Sequence, residues 1–216
     1  MRNTSDIAQR RALARATDDP DYRVRRAELI KTAAAVFRRK GYSAAKLQDI
    51  AAAAGLDRAS VYYYVSGKEE LYKEVVAEAV RDNVAMVERL RSTEASAPSK
   101  LSAFVEGLMA SYERHYPYLY VYVQEDMTHM SGDTAWTREM RSLSRRFDTA
   151  VRDIIQKGLD DGSLAAPVED ARLLANAVIG MCNWSHRWFQ PGGSFTAADV
   201  GRLFSALLLQ GLARSQ

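Results

Sequence analysis

The chain has 216 residues, 47% hydrophobic and 26% charged, ordinary proportions for one globular domain or two small ones with a buried core, which excludes wholesale disorder. No run of eighteen or more apolar residues is present, Met1-Arg2-Asn3-Thr4-Ser5-Asp6 lacks the apolar core of a signal peptide, and Cys182 is the single cysteine, so a membrane helix, an internal disulfide and a multi-cysteine zinc site are all excluded and a cytoplasmic location is expected. The net charge of +3 is uneven: residues 1–68 hold 14 Lys and Arg against 7 Asp and Glu, while the remaining 148 hold 16 against 20. That split suggests a basic module meeting a polyanion, joined to a body that does not; the alternative is a basic surface with no partner.

Residues 1–21 carry Arg2, Arg10, Arg11 and Arg15, followed by Asp18, Asp19 and Asp21. They read as a flexible basic arm, a solvated tail unless its arginines enter a minor groove. Beyond it, apolar residues recur at helical spacing between clusters of Gly, Pro, Ser and Asp. Ala27, Ile30, Ala34 and Phe37 form one face; Leu101, Phe104, Val105, Leu108, Met109 and Tyr112 another; Met140, Leu143, Phe147, Val151 and Ile154 a third. Leu174, Ala177, Val178 and Met181, then Val200, Leu203, Phe204, Leu207 and Leu208, continue the pattern. The expected fold class is all-α. One segment deviates: Tyr116, Tyr118, Tyr120 and Tyr122 alternate with Pro117, Leu119, Val121 and Val123. Period two argues for a strand, but no second strand is available to pair with it, and one strand alone leaves its backbone unsatisfied. A short buried helix with Pro117 in its first turn is therefore expected.

Residues 47–65 have the pattern of a helix-turn-helix. Leu47, Ile50, Ala51 and Ala54 form the inner face of a short helix, Gly55 suits a sharp left-handed turn, Asp57 can cap the next helix, and Val61, Tyr64 and Val65 point back inward. The recognition helix is then Arg58–Val65, with Arg58, Ala59, Ser60, Tyr62 and Tyr63 outward. Arginine can bond guanine twice, and tyrosine can reach a phosphate or stack on a base edge. Ser66 and Glu69 read as a capping box opening a further helix, where Lys68 and free amides would attract a phosphate. The competing reading makes the three tyrosines core aromatics.

Phe37-x-x-x-Gly41-Tyr42, Asp49-Ile50-Ala51-x-x-Ala54-Gly55-Leu56 and Val61-Tyr62-Tyr63-Tyr64-Val65-x-x-Lys68-Glu69-Glu70-Leu71 together resemble the DNA-binding domain of the tetracycline-repressor (TetR) family of transcriptional regulators. The resemblance implies a DNA-binding domain over 22–80, with Gln48, Arg58, Ala59 and Tyr62 near bases and Ser60, Tyr63 and Lys68 on phosphates. The family usually opens the second helix with Thr or Ser; here Ala45-Lys46 stand there, so Lys46 would supply the phosphate contact and Ser43 any cap.

The resemblance further implies that 81–216 is a helical ligand-binding and dimerisation domain. No catalytic motif emerges, no cofactor is expected, and no metal site is assigned. Cys182 and His186 at helical spacing could be a nucleophile and base, but a buried structural thiol is the simpler reading. Glu125, Asp126 and His129 could hold a metal, though an ordinary surface pair has the same spacing. Small residues Gly180, Gly201, Ala206 and Gly211 accompany the stripe Val200, Leu203, Phe204, Leu207 and Leu208; the helices spanning roughly 168–188 and 196–213 are expected to meet their symmetry mates in a two-fold, four-helix dimer interface, the alternative being packing within the chain alone. Phe104, Leu108, Tyr112, Tyr120, Met127, Phe147, Val151 and Trp188 combine aromatic rings with flexible methionine, a lining suited to a large hydrophobic effector. Trp184–Gly193 resembles the end of the penultimate helix in family members that answer to acyl-coenzyme A thioesters, including regulators of sterol catabolism. That implies a role for Arg187 and Trp188 near such a ligand; otherwise Trp188 is core and Arg187 caps the helix. The expected function is a dimeric repressor that binds double-stranded DNA and is released by a hydrophobic small molecule. The alternatives are a regulator controlled by a protein partner and a helical enzyme fused to a DNA module.

Overall fold

The computed structural model describes residues 4–17, 19–124 and 135–212. Their elements are α1 (Thr4–Ala16), α2 (Pro20–Lys40), α3 (Leu47–Ala53), α4 (Arg58–Tyr64), α5 (Lys68–Ser92), α6 (Ala97–Arg114), α7 (Tyr118–Gln124), α8 (Ala135–Asp160), α9 (Ala171–Trp184), a 3-10 turn (Ser185–Arg187) and α10 (Ala197–Leu212). The all-α expectation holds, with no strand among the described residues. The tyrosine-rich segment is the short helix α7, whose Val121 N–H donates to the Pro117 carbonyl at 3.3 Å. No described helix is long and apolar enough to cross a membrane.

The described residues form two compact units, those within 1–78 together with those within 117–129, and those within 79–116 together with those within 130–216. In the first, α2 buries Tyr22, Leu29, Ala33, Ala34, Val36 and Phe37. The face expected from Ala27 and Ile30 is rotated: Ala27 is exposed and Ile30 half-buried. Tyr22 and Leu29 lie seven residues apart on one side and remove far more apolar area from water than Ala27 does, so they take the core. Leu119, Tyr120 and Val121 of α7 are buried in this unit, where α7 packs on α2. Tyr120 is therefore a core residue of the first unit, whereas Phe104, Leu108, Tyr112 and Val151 are core residues of the second. The span 1–21, expected as a flexible arm, contains α1, which packs on α4.

In the second unit α6 buries the six-residue face read from its spacing. From α8, Met140, Leu143, Val151 and Ile154 are buried, and half-buried Phe147 sits 5.6 Å from the Phe104 ring. α10 lies along α6 so closely that a Cβ on Gly201 would meet the Glu106 Cα at 3.0 Å, and the Ser102 and Ser205 hydroxyls share a hydrogen bond of 2.7 Å. Gly201 thus serves packing within the chain, not approach to a partner. Buried Lys100 donates to the Arg91 carbonyl at 3.0 Å, satisfying the C-terminal end of α5. Met127, Glu125, Asp126 and His129 lie outside the described residues.

Candidate functional site

The α3–α4 turn is set by local chemistry. Gly55 has φ +65°, the Leu56 N–H reaches the Ala51 carbonyl at 2.9 Å and the Gly55 N–H reaches Ala52 at 3.2 Å, a pairing that closes α3 and that a left-handed residue permits. Asp57 then caps α4, accepting from the Ser60 N–H at 2.8 Å and the Ser60 hydroxyl at 2.9 Å. The start of α3 is solved differently from the expectation placed on Ser43. Lys46 holds the cap position without an acceptor, and the Asp49 carboxylate bonds back to the Lys46 N–H at 2.8 Å and to Lys40 Nζ at 2.7 Å.

At its C-terminal end α4 is clamped from outside. Arg11 Nη1 donates to the Tyr62 carbonyl and the Tyr22 hydroxyl to the Tyr64 carbonyl, each at 3.1 Å. These carbonyls have no partner within the helix, so α1 and α2 supply it. No sequence signal marks either contact. Tyr22 also meets the edge of Tyr63 at 5.4 Å and tilts against Tyr64 at 5.3 Å. The middle tyrosines are thus shared between core and surface: Val61 and Val65 are buried, while Tyr62, Tyr63 and Tyr64 are half-buried.

The outer face presents Lys46, Gln48, Arg58 and Ala59 exposed and Ser60 half-buried. Arg58 Nη2 donates to the Tyr62 hydroxyl at 3.3 Å, its guanidinium 5.7 Å from that ring, so the two side chains hold each other above the helix. Lys68 is placed otherwise than the phosphate reading expected. Its Nζ donates to the carbonyls of Tyr42 at 2.8 Å, Ala45 at 3.0 Å and Ser43 at 3.4 Å, and lies 4.3 Å from the Tyr42 ring centre. The ammonium therefore ties the start of α5 to the turn ahead of α3. The box expected from Ser66 and Glu69 uses Glu70 instead, which accepts from the Ser66 N–H at 2.7 Å and hydroxyl at 2.6 Å, while Glu69 pairs with Lys73 at 2.6 Å. The helix opens at Lys68, two residues beyond Ser66, which brings the residue four along within reach.

The two capping carboxylates respond to acid. Hydrogen bonds from Ser60 hold Asp57 below the usual carboxylate range, and the bond from Lys40, then that from Lys46, does the same for Asp49. Because both folded values lie below the unfolded ones, the caps contribute their stability at neutral pH and lose it as pH falls below about 4. Protection of the α4 amides, referred to the intrinsic exchange rate at each pH, should fall over that range in the wild type and much less steeply in Asp57→Asn; identical profiles would disprove the assignment.

The second unit divides its expected residues between core and surface. Phe104, Leu108, Tyr112 and Val151 are buried, and the Tyr112 hydroxyl donates to Asn183 Oδ1 of α9. Arg187 and Trp188 do not join that core. Arg187 is exposed with its guanidinium 4.6 Å from the Trp184 ring, and Trp188, 47% exposed, meets Phe204 edge-on at 6.2 Å. Of the expected interface stripe, Leu203 and Leu207 are exposed, Phe204 and Leu208 half-buried, and Val200 buried in its own unit, where the inner face of α10 meets α6. Leu173 and Trp184 of α9, not singled out from sequence as interface residues, are also exposed. Cys182 is fully buried and burial pushes its thiol up to about 12, which removes the thiolate a nucleophile requires. His186 Nδ1 is engaged with the Asn183 carbonyl at 2.8 Å. Among the described residues no group of acids, histidine or cysteine could hold a metal ion.

Comparison with known proteins agrees with this architecture. Residues 29–75 match the family described as bacterial regulatory proteins, tetR family, and residues 94–212 match the tetracyclin repressor-like C-terminal domain. The chain is 28% identical over 193 residues to the HTH-type transcriptional repressor KstR2 of Mycolicibacterium smegmatis, covering 89% of this chain and 92% of that protein. It is 31% identical to the TetR family transcriptional regulator PfmR of Thermus thermophilus, with a TM-score of 0.71 over 86% of this chain and 99% of that one. It also shares its fold with AibR, solved in complex with isovaleryl coenzyme A and operator DNA, at 19% identity and a TM-score of 0.69 over 85% and 97% of the two chains. Regulators of this family bind DNA as dimers and are not enzymes. The chain belongs to the tetR family as a helix-turn-helix transcriptional repressor.

Proposed function

We propose that the protein is a ligand-responsive repressor whose dimer inserts α4 of each subunit into successive major grooves of an operator and is released by a hydrophobic small molecule. The observation that carries the reading is the Arg58–Tyr62 pair on the outer face of a helix held at one end by Asp57 and at the other by Arg11 and Tyr22. A helix fixed at both ends presents its side chains in one geometry, as reading base edges requires. Arg58, Gln48, Ala59 and Tyr62 meet bases; Lys46, Ser60 and Tyr63 meet phosphates, and Lys68 acts through the turn it ties down. Effector binding shifts the population toward conformers whose two recognition helices no longer match the groove spacing.

The test is operator selection followed by binding measurements. Arg58→Ala should lose about 1–3 kcal/mol on the preferred site and relax base preference at one position per half-site. Unchanged affinity and preference would refute the assignment of α4.

The effector is an acyl-coenzyme A thioester in this reading, supported by the ligand named for AibR. Exposed Arg187 is the group proposed for the anionic end, since guanidinium pairs well with phosphate. Arg187→Ala should keep operator affinity while the thioester loses its power to release DNA. Wild-type release by the variant would remove Arg187 from the site.

A further inference from the structure

Within the second unit, α5 and α6 border a groove of about 240 Å³ whose lining includes Asp82, Asn83, Met86, Arg89, Ser111 and Arg114. Two observations set it apart from an ordinary interhelical crevice. Ser111 is 2% exposed and its hydroxyl has no hydrogen-bond partner among the described residues, a deficit that native interiors seldom tolerate unless water or a ligand supplies the missing bond. Arg89 and Arg114, both exposed, line the same groove, one from each helix, and have no carboxylate partner among the described residues. Asp82, the acid on the groove wall, is taken up by the His115 ring at 3.1 Å. Asn83, 6% exposed, adds an amide to the lining.

The groove therefore offers two guanidinium groups, a hydroxyl and an amide, and its carboxylate is already engaged. Donors in that excess suit a ligand that only accepts. A carboxylate is satisfied by one bidentate arginine, whereas a phosphate presents three terminal oxygens and up to two charges, enough for both. With about 30 Å³ per water in the liquid, the space holds a phosphate group and the first atoms of its carrier, not a whole nucleotide with an acyl chain.

We propose that the α5–α6 groove is a phosphate-binding site, in which Arg89 and Arg114 hold the terminal oxygens and Ser111 and Asn83 donate from the groove lining. It stands apart from the effector reading above, which concerns other residues. The phosphate belongs either to the free inorganic anion or to a larger molecule carrying it.

Calorimetric titration of the full-length protein at constant ionic strength separates these cases, using inorganic phosphate, coenzyme A and phosphate-free pantetheine as probes. Arg89→Gln, Arg114→Gln and Ser111→Ala are compared with Arg145→Gln, an exposed arginine of α8. In an Arg187→Ala background, which removes the anion contact proposed for the effector, one saturable site per chain for coenzyme A and none for pantetheine is expected. Each groove arginine variant should weaken binding by about tenfold, and Ser111→Ala by about threefold, with Arg145→Gln unchanged. The same pattern with inorganic phosphate supports the site with the free anion as its ligand. No saturable binding of either phosphate probe overturns the proposal. So does binding that ignores Arg89→Gln and Arg114→Gln, or that falls equally with Arg145→Gln. Operator binding by the wild type is a separate readout, so failure here leaves the repressor reading to its own test.

Discussion

Leu207→Glu is expected to turn the dimer into monomers and, with it, to abolish tight operator binding. Leu207 and Leu203 on α10 are 56% and 57% exposed, and Leu173 and Trp184 on α9 are 54% and 58% exposed. On α9, Leu173, Ala177, Gly180 and Trp184 follow one another at spacings of four, three and four, the period of a single helical face. A Cβ built on Gly180 meets nothing within 4 Å, so this face is open to a second helix pair. An apolar surface formed from two adjacent helices normally marks an association site, and two-fold pairing of α9 and α10 would close it as a four-helix interface. A glutamate there is buried without a partner at a cost of about 3–5 kcal/mol, and the symmetry buries two of them. The dimer dissociation constant should then rise by about four orders of magnitude or more. Sedimentation of the variant checks this, with Leu207→Met as a dimeric control. A dimeric Leu207→Glu protein, or a monomeric wild type, would exclude this interface. Val200→Ala should weaken folding of its own unit and leave the subunit contact intact, because Val200 is buried within that unit.

Lys68→Met is expected to destabilise the first unit by about 2–4 kcal/mol, since it keeps the aliphatic stem but leaves the three turn carbonyls without their charged donor. Operator affinity should fall by a similar factor on every DNA sequence, because the turn that seats α3 and α4 loosens. The salt dependence distinguishes this from a direct phosphate contact. A lysine that neutralises a phosphate contributes about one unit to the slope of log K against log salt, and its removal lowers that slope. An ammonium held on turn carbonyls keeps its charge but makes no phosphate contact, so the slope of Lys68→Met should stay close to the wild type while thermal unfolding shifts down. Normal stability with a slope reduced by about one unit would restore the phosphate assignment. Parallel melting curves and anisotropy titrations at several salt concentrations give both quantities.

Much of the reading head was legible in the chain because its determinants are neighbours. Gly55 and Asp57 act within four residues of the groups they satisfy, and the spacing of Leu101, Phe104, Leu108 and Tyr112 alone assigns the buried face of α6. The helical state of α7 also followed from sequence, since nothing could pair with an isolated strand. The rotated face of α2 was not legible in this way, because four apolar positions at correct spacing outlined a stripe, while the larger Tyr22 and Leu29 defined the one that buries more area.

The sequence by itself determined the helical elements, the turn between α3 and α4, the cap on α4 and the outward placement of Arg58, because hydrogen bonds and side-chain faces that repeat within three or four residues are properties of the local chain. Only the tertiary structure decided where the long-range partners fall. It spent the Lys68 charge on carbonyls 23 to 26 residues earlier, and set Arg11 and Tyr22 against the end of α4 from 51 and 42 residues away. It gave Tyr120 to the core of the first unit and split the α10 stripe into an inner face on α6 and an outer face of Leu203 and Leu207. A periodic stripe records that a face is apolar, not what covers it, and a basic side chain records a charge, not which oxygen receives it; both depend on which distant backbone groups closure of the fold brings within bonding distance.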